Sequence, residues 1–478
     1  MAKFPGFVGP SYASQSVLAA GEVCMNFYPE VIESGGKTRA ALYPTPGLPD
    51  FATLTAGPCR GLVGDRTRCF AVGGGALNEL DSAGAVIDRG AVADDGFPAT
   101  LCSSGDAGEE LFVTAGDSGY ILDLATDTLT LEVTDVTMGG QVDGFFIALD
   151  GHTSTLKISE LLDGKTWDSS QIAQRNSASD PWVALLVAGR EIFLFGERTG
   201  EAFYNKGTSP FPFAQRPGSV FEVGIEAPWS LAKFGGSMAW LGKSDQGSGI
   251  VYWMNGYTPN RISNHAVEWA IQQYRDTYKD AGGVSGAIGW SYESQGHQFY
   301  VLTFPLPGKT WVYDAATNQW HERGLWDPDE GDFVAYRPRY HAEMFNRNIV
   351  GDGSSTGVYT FSTTTYTDVD GEILRRMRRS PHLAQENRRF TVDAFEIEAD
   401  RGVGLTTGQG ADPLLMLRYS RNGGKTWGTE RTRSLGAIGE YGQRIRWDRC
   451  GNGRDWVFEV SCSDPVPVRL LDAYLEAS

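Results

Sequence analysis

The chain has 478 residues, of which 60 are Gly, 22 are Pro and 12% are aromatic, a pairing of turn formers with ring side chains that speaks for many short strands and against a helical or disordered protein. Its 41 Lys and Arg stand against 59 Asp and Glu, a formal net charge of −18. That balance argues against a general nucleic-acid coat, because phosphate binding needs a basic footprint.

The length predicts several domains, at about 100–200 residues each. The six cysteines (Cys24, Cys59, Cys69, Cys102, Cys450, Cys462) form no CxxC pair and are too sparse for a disulfide scaffold, so buried free thiols are expected. Ser16 to Ala20 is too short for a signal-peptide core, and the apolar run from Trp182 to Gly189 is far below the ~18 residues of a membrane span. Synthesis in the cytoplasm, without export by the usual route, is expected.

Residues 1–50 hold Pro5, Pro10, Pro29, Pro44, Pro46 and Pro49 with no periodicity and read as an extended arm. Residues 51–374 repeat. An apolar strand, a Gly-containing turn and a second strand recur from Cys69, Leu111, Phe145, Ile192, Met238, Phe299 and Ile349, at spacings of 42, 34, 47, 46, 61 and 50 residues. Blade repeats have periods of roughly 40–50 residues. A mainly β fold is therefore predicted, with a β-propeller of six or seven blades; a stacked array of β-sandwiches is the competing arrangement.

Within the propeller one helix is predicted. Asn264 is its N-cap, Val267, Ile271, Tyr274 and Tyr278 share one face, and Gly282-Gly283 stop it. Gly116-Asp-Ser-Gly119 has the look of a trypsin-like nucleophile motif, but no histidine precedes Ser118, so a hairpin turn is the reading. Asp327-Pro-Asp-Glu-Gly-Asp332 lacks the twelfth-position Glu of an EF-hand, since residue 338 is Pro. It reads as a solvated acidic loop.

Arg375, Arg376, Arg378 and Arg379 form a basic cluster, joined by Arg388-Arg389. A solvated loop is one reading; like charges this dense repel and call for a partner, so a contact with another subunit, an acidic surface or passing DNA is the other. Residues 375–478 alternate with period 2 at Phe390 to Glu398, Leu414 to Tyr419 and Asp455 to Ser461, predicting a C-terminal antiparallel β domain. Ser420, Asn422, Gly424, Thr426 and Trp427 match the Asp-box pattern with Asn in the Asp place, and Leu162 to Trp167 is a fainter echo. The box predicts a structural hairpin turn. Charge divides at the same boundary: 17 basic and 14 acidic residues from Leu374 onward, net +3, leave −21 on everything before it.

No phosphate loop, HExxH, nucleophile elbow or paired catalytic carboxylates appear, so no catalytic, cofactor or metal residues are assigned and an enzyme is not expected. A glycan-active propeller and a non-catalytic carbohydrate-binding module are two readings the residues allow; the second would use the abundant Trp and Tyr for sugar stacking.

Several strings in order carry a family likeness. They are Asn26-Phe-Tyr-Pro-Glu30, Tyr43 to Leu48, Gln174 to Trp182, Ile192 to Gly196, Gly196 to Phe203, Ile262 to Glu268, Gly296 to Pro305, and Trp311 to Ala315 with Trp320. Together they resemble the packaged-DNA stabilisation proteins, or tail hub and nozzle proteins, of short-tailed bacteriophages, over about residues 26–475. The resemblance implies a virion tail protein: a homo-hexamer below the dodecameric head-to-tail adaptor. It implies a prolonged DNA channel, retention of the packaged genome, and surfaces for tail fibres or tailspikes and for a needle or plug. An acidic lumen would let DNA slide past without specific binding.

Overall fold

The computed structural model describes residues 1–33, 38–245, 247–386 and 388–478. Seven antiparallel sheets, each built on four strands, follow one another along the chain: residues 59–91, 100–134, 138–174, 182–215, 224–261, 288–327 and 338–360. Their innermost strands touch in sequence, and the last, Pro338–Met344, touches the first, Cys59–Asp65. The ring closes as a seven-bladed β-propeller. The seven repeat starts read from the sequence all fall in the second strand of a blade.

That strand is the easiest to read because it is buried on both faces. Glu110–Ala115 and Phe145–Asp150 are nearly continuous runs of buried residues, the signature of a strand between packed sheets. The 61-residue spacing between Met238 and Phe299 has a simple cause: the helix His265–Thr277 is inserted between blades 5 and 6. Asn264 caps it, its side chain accepting from the Val267 amide at 3.0 Å. Ala266, Val267, Ala270 and Ile271 are buried against blades 5 and 6. The helix ends at Thr277, one residue before the expected Tyr278 contact and five before Gly282.

The first 50 residues are not a free arm. Their strands are parcelled out among three sheets. Asp50–Thr53 pairs with Gly357–Thr360 and completes blade 7. Ala2–Lys3 and Ala40–Pro44 each pair with Leu470–Ala477, and Phe27–Val31 pairs with Ala40–Pro44. Val23–Met25 lies between Gln319–Asp327 of blade 6 and Arg376–Arg379. Proline content misleads here because each strand has only two to five residues, and partners far along the chain, not local periodicity, hold it extended.

The C-terminal unit is a two-sheet sandwich. One sheet runs Phe27–Val31, Ala40–Pro44, Leu470–Ala477, Phe390–Ala399, Ile445–Gly453. The other runs Val23–Met25, Arg376–Arg379, Asp455–Cys462, Leu414–Ser420, Arg431–Ser434, and continues into blade 6 through Val23–Met25. Between them lies a core containing Phe4, Phe7, Phe395, Trp447, Trp456 and Phe458, with the Phe395 and Phe458 rings stacked at 4.4 Å. Each such ring contributes roughly 2–3 kcal/mol by leaving water. Five of the six cysteines are buried, all six are free thiols, and burial pushes Cys24, Cys59 and Cys69 up to about 12.

Candidate interaction sites

The junction between propeller and sandwich is organised by Asn26. Its φ of 54° lies in the left-handed region, which Asn tolerates better than most residues. From that position its Nδ2 donates to the Gly324 and Arg375 carbonyls, both at 2.8 Å, and its Oδ1 accepts from the Gly324 amide at 3.1 Å. Its own carbonyl accepts from the Thr45 amide and hydroxyl, at 3.1 and 3.2 Å. One buried side chain thus ties blade 6 and the first sandwich strand together.

Beside it, His297 sits between two carboxylates, with Nε2 2.6 Å from Glu30 and Nδ1 2.8 Å from the buried Asp314. The hydrogen bond to Asp314 is the larger cause, and the Glu30 bond adds to it, of an imidazole pKa raised to about 8. Glu30 lies in the sandwich sheet and the other two in blade 6. In blade 4, Glu201 gathers Arg175 Nε at 3.2 Å, Ser177 Oγ at 2.7 Å and Trp182 Nε1 at 2.9 Å.

The arginine cluster has a different role from the one its sequence suggests. Arg376 and Arg378 are 0% and 1% exposed, so neither can meet another chain or DNA. Arg378 donates to the carbonyls of Phe7 at 2.6 Å, Pro10 at 2.9 Å, Gly6 at 3.2 Å and Val23 at 3.3 Å, clamping the N-terminal segment. Arg376 donates to the Val466 carbonyl at 2.6 Å and to that of Asp464. Burial lowers both guanidinium pKa values. Arg375 pairs with Glu430 at 2.7 Å and Arg379 with the buried Glu459 at 2.8 Å. The alternation of a strand explains the split, since Arg376 and Arg378 share one face.

The Asp-box turn forms as a closed hydrogen-bonded unit. Ser420 Oγ accepts from the Gly424 amide at 2.9 Å and donates to Asn422 Oδ1 at 2.8 Å. Asn422 Oδ1 accepts from the Thr426 amide at 3.0 Å while its Nδ2 donates to Thr426 Oγ1 at 2.9 Å. Trp427 receives the guanidinium groups of Arg379 and Arg418 over its ring at 5.0 and 5.1 Å. Two features read separately from the sequence therefore meet, through Arg379 and Trp427.

The remaining motifs are turns. Gly116 and Asp117, at φ 56° and 55°, form the tip of a hairpin in blade 2, and His152 lies 3.3 Å from the Asp117 carboxylate. Asp327 folds its loop by accepting the Asp329 amide at 2.9 Å. Among the described residues no group of three or more His, Cys, Asp or Glu could hold a metal ion. A cavity of about 500 Å³ among the inner strands of blades 1 to 5 is lined by residues such as Leu101, Met138, Leu186, Trp229 and Lys233, and adjoining cavities that share Met138, Trp229 and Lys233 with it bring in Asp95, Asp117 and Asp143. Among the described residues no helix is long and apolar enough to cross a membrane.

A closed propeller whose sixth blade runs on into a sandwich, with Asn26, His297 and Arg378 tying the junction, defines a structural scaffold. Family models give the particular family: the bacteriophage P22 Gp10 β-propeller matches residues 14–366 and the bacteriophage P22 Gp10 β-sandwich matches residues 375–478. The chain belongs to the phage P22 Gp10 family, the packaged-DNA stabilisation or tail-hub proteins, and is a structural phage tail protein. No curated protein matches. Among solved structures, a virginiamycin B lyase from Staphylococcus aureus is 8% identical with a TM-score of 0.40, over 64% of this chain and 94% of that one. BamB from Moraxella catarrhalis is 10% identical with a TM-score of 0.39, over 70% and 96%. Likenesses this remote carry nothing about activity.

The strings that carry the family likeness coincide with the polar nodes. Asn26 and Glu30 share one string, and His297 and Asp314 come from two others. Arg175 and Glu201 come from a further pair that folds together in blade 4. The charged and histidine side chains inside these strings were the available signal, and only the fold reveals which pairs meet.

Proposed function

We propose that this chain is the non-enzymatic hub of a short phage tail. Six copies form a ring below the head-to-tail adaptor, extend the DNA channel, hold the packaged genome in the head, and offer surfaces to fibres or tailspikes and to a needle or plug. The observation that carries this reading is the pair of family matches, propeller then sandwich, in order along the chain. The interlocked junction supports it, because a conduit under load needs domains that do not swing on a linker. The glycan-active alternative draws only on the Asp-box turn, whose polar groups are bonded to one another.

The test is electron microscopy of the purified chain mixed with its adaptor, together with particles assembled without the chain. A six-fold ring under the adaptor and heads that lose their DNA are expected. A chain that never joins the adaptor, or DNA-filled heads that stay stable without it, would overturn the reading.

A further inference from the structure

The chain's negative charge is densest in its first three blades, and the C-terminal unit is net positive. Blades 1 to 3, residues 59–174, hold 6 basic and 19 acidic side chains, net −13 of the total −18. In a ring of seven, blades 2 and 3 lie across the axis from blade 6, the blade whose sheet runs on into the sandwich. The acidic sector and the sandwich thus sit at opposite ends of one molecule and cannot reach each other within it.

The sandwich end is cationic in a way the Arg375 to Arg379 cluster is not. The pairings Phe390 with Gly453, Ala384 with Asp455 and Asn422 with Asp455 bring the segment before Phe390, the Asp-box turn and the Arg449 to Arg454 turn to one edge. Arg388, Arg389, Arg421, Lys425, Arg449 and Arg454 are all exposed there. Among the described residues only Arg388 has an ion-pair partner, the exposed Glu386 at 3.6 Å. Asp455 at the same edge is taken by His382 at 2.8 Å. Val17 and Leu18, 54% and 47% exposed, lie against Gly424 and Gly423 of the turn, so the cations surround an apolar spot.

The acidic end has the matching composition. The outer strands of blades 1 to 3, Val86–Ala91, Thr128–Thr134 and Asp163–Gln174, expose Ile87, Leu131 and Ile172. Asp88, Asp135 and Asp168, on or beside these strands, are exposed with no ion-pair partner among the described residues. Neighbouring outer strands touch, so the three form one wall. An apolar centre with a charged rim is the anatomy of a protein interface. A phosphate backbone would satisfy the cations and leave the apolar spot uncovered.

We propose that the cationic edge of the sandwich docks on the outer wall of blades 1 to 3 of a second copy of this chain. The two surfaces differ, so the contact is head-to-tail and generates a ring when the rotation closes. This assignment rests on the homo-oligomeric reading above and names its surfaces.

The experiment is sedimentation of the full chain, alone and with the adaptor, over a range of concentrations at low and high salt. Self-association that weakens with salt is expected. At about threefold per reversed exposed charge, the variant Arg389→Glu, Arg421→Glu, Lys425→Glu, Arg454→Glu weakens it on the order of 80-fold. The variant Asp88→Lys, Asp135→Lys, Asp168→Lys acts in the same direction, and a chain carrying both sets associates again. Rings that form regardless of either set, or a double set that fails to restore them, overturn the docking surface and leave the hub reading standing. A chain that stays monomeric even with adaptor overturns both. If the Arg and Lys reversals abolish binding of duplex DNA and leave self-association unchanged, the edge is a phosphate contact and the proposal is wrong.

Discussion

Replacing Asn26 tests the claim that one side chain holds the propeller to the sandwich. Asn26→Ala removes three side-chain hydrogen bonds and strands the Gly324 carbonyl and amide in a buried place and the Arg375 carbonyl in a partly buried one. A buried backbone group left without its partner costs about 1–3 kcal/mol, so three cost at least about 3. Alanine at the left-handed φ adds about 1, giving a loss of about 4 kcal/mol. Asn26→Gly loses the same bonds without the backbone cost and should lose about 3. Two domains need not unfold together, so denaturant titration is best paired with native-state hydrogen exchange, which locates the opening. Faster exchange at the Gly324 amide and along Val23–Met25, with blades 1 to 4 unchanged, is expected. An alanine variant within about 1 kcal/mol of the parent, or a glycine variant worse than alanine, would refute the reasoning.

Three other predictions follow from the same junction and its surroundings. Arg378→Met should destabilise by at least about 3 kcal/mol, because four carbonyls lose a charged donor, whereas Arg375→Ser should cost under about 1, its partner Glu430 being exposed; chemical unfolding separates them. His297 has a folded pKa of about 8 against an ordinary 6.5, so its contribution is fully present below pH 6.5 and is lost as pH rises through 8. That shift is about 2 kcal/mol of linkage, and His297→Gln should flatten the fall in Tm over that window. Asp368, pushed up to about 7 chiefly by burial, also lowers stability as pH rises from 3.8 toward 7, and His297→Gln leaves that lower-pH fall in place. In the Asp-box turn, Asn422→Asp keeps both acceptor bonds and should change thermal stability by under about 0.5 kcal/mol, while Asn422→Ala should cost about 1–2.

What the sequence disclosed depended on how local the cause was. Each blade's second strand announced itself because burial on both faces leaves an uninterrupted apolar run, as in Phe145–Asp150. Asn264 was legible as a cap because its partner amide is three residues away. The strands of the first 50 residues were not, because Ala2–Lys3 is held by Leu475 and Tyr474. Arg378, in the arginine cluster, was misread for a related reason. Its charge is visible in the sequence, but the carbonyls of Phe7 and Pro10 that absorb Arg378 lie more than 360 residues away. The cations without ion-pair partners among the described residues sit at the far edge of the same domain, from Arg389 to Arg454, and beyond the Arg388-Arg389 pair no run of basic residues marks them.

The pairing of Ala2–Lys3 and Ala40–Pro44 with Leu470–Ala477 has a consequence for the order in which the molecule can be made. On the ribosome these strands emerge long before Leu470–Ala477 and wait unpaired until it follows. Blade 7 likewise stays one strand short until Asp50–Thr53 finds Gly357–Thr360. Contacts this distant form slowly and leave open sheet edges in the meantime. A nascent chain of this design is born exposed, needs shielding while it waits, and becomes a finished part all at once.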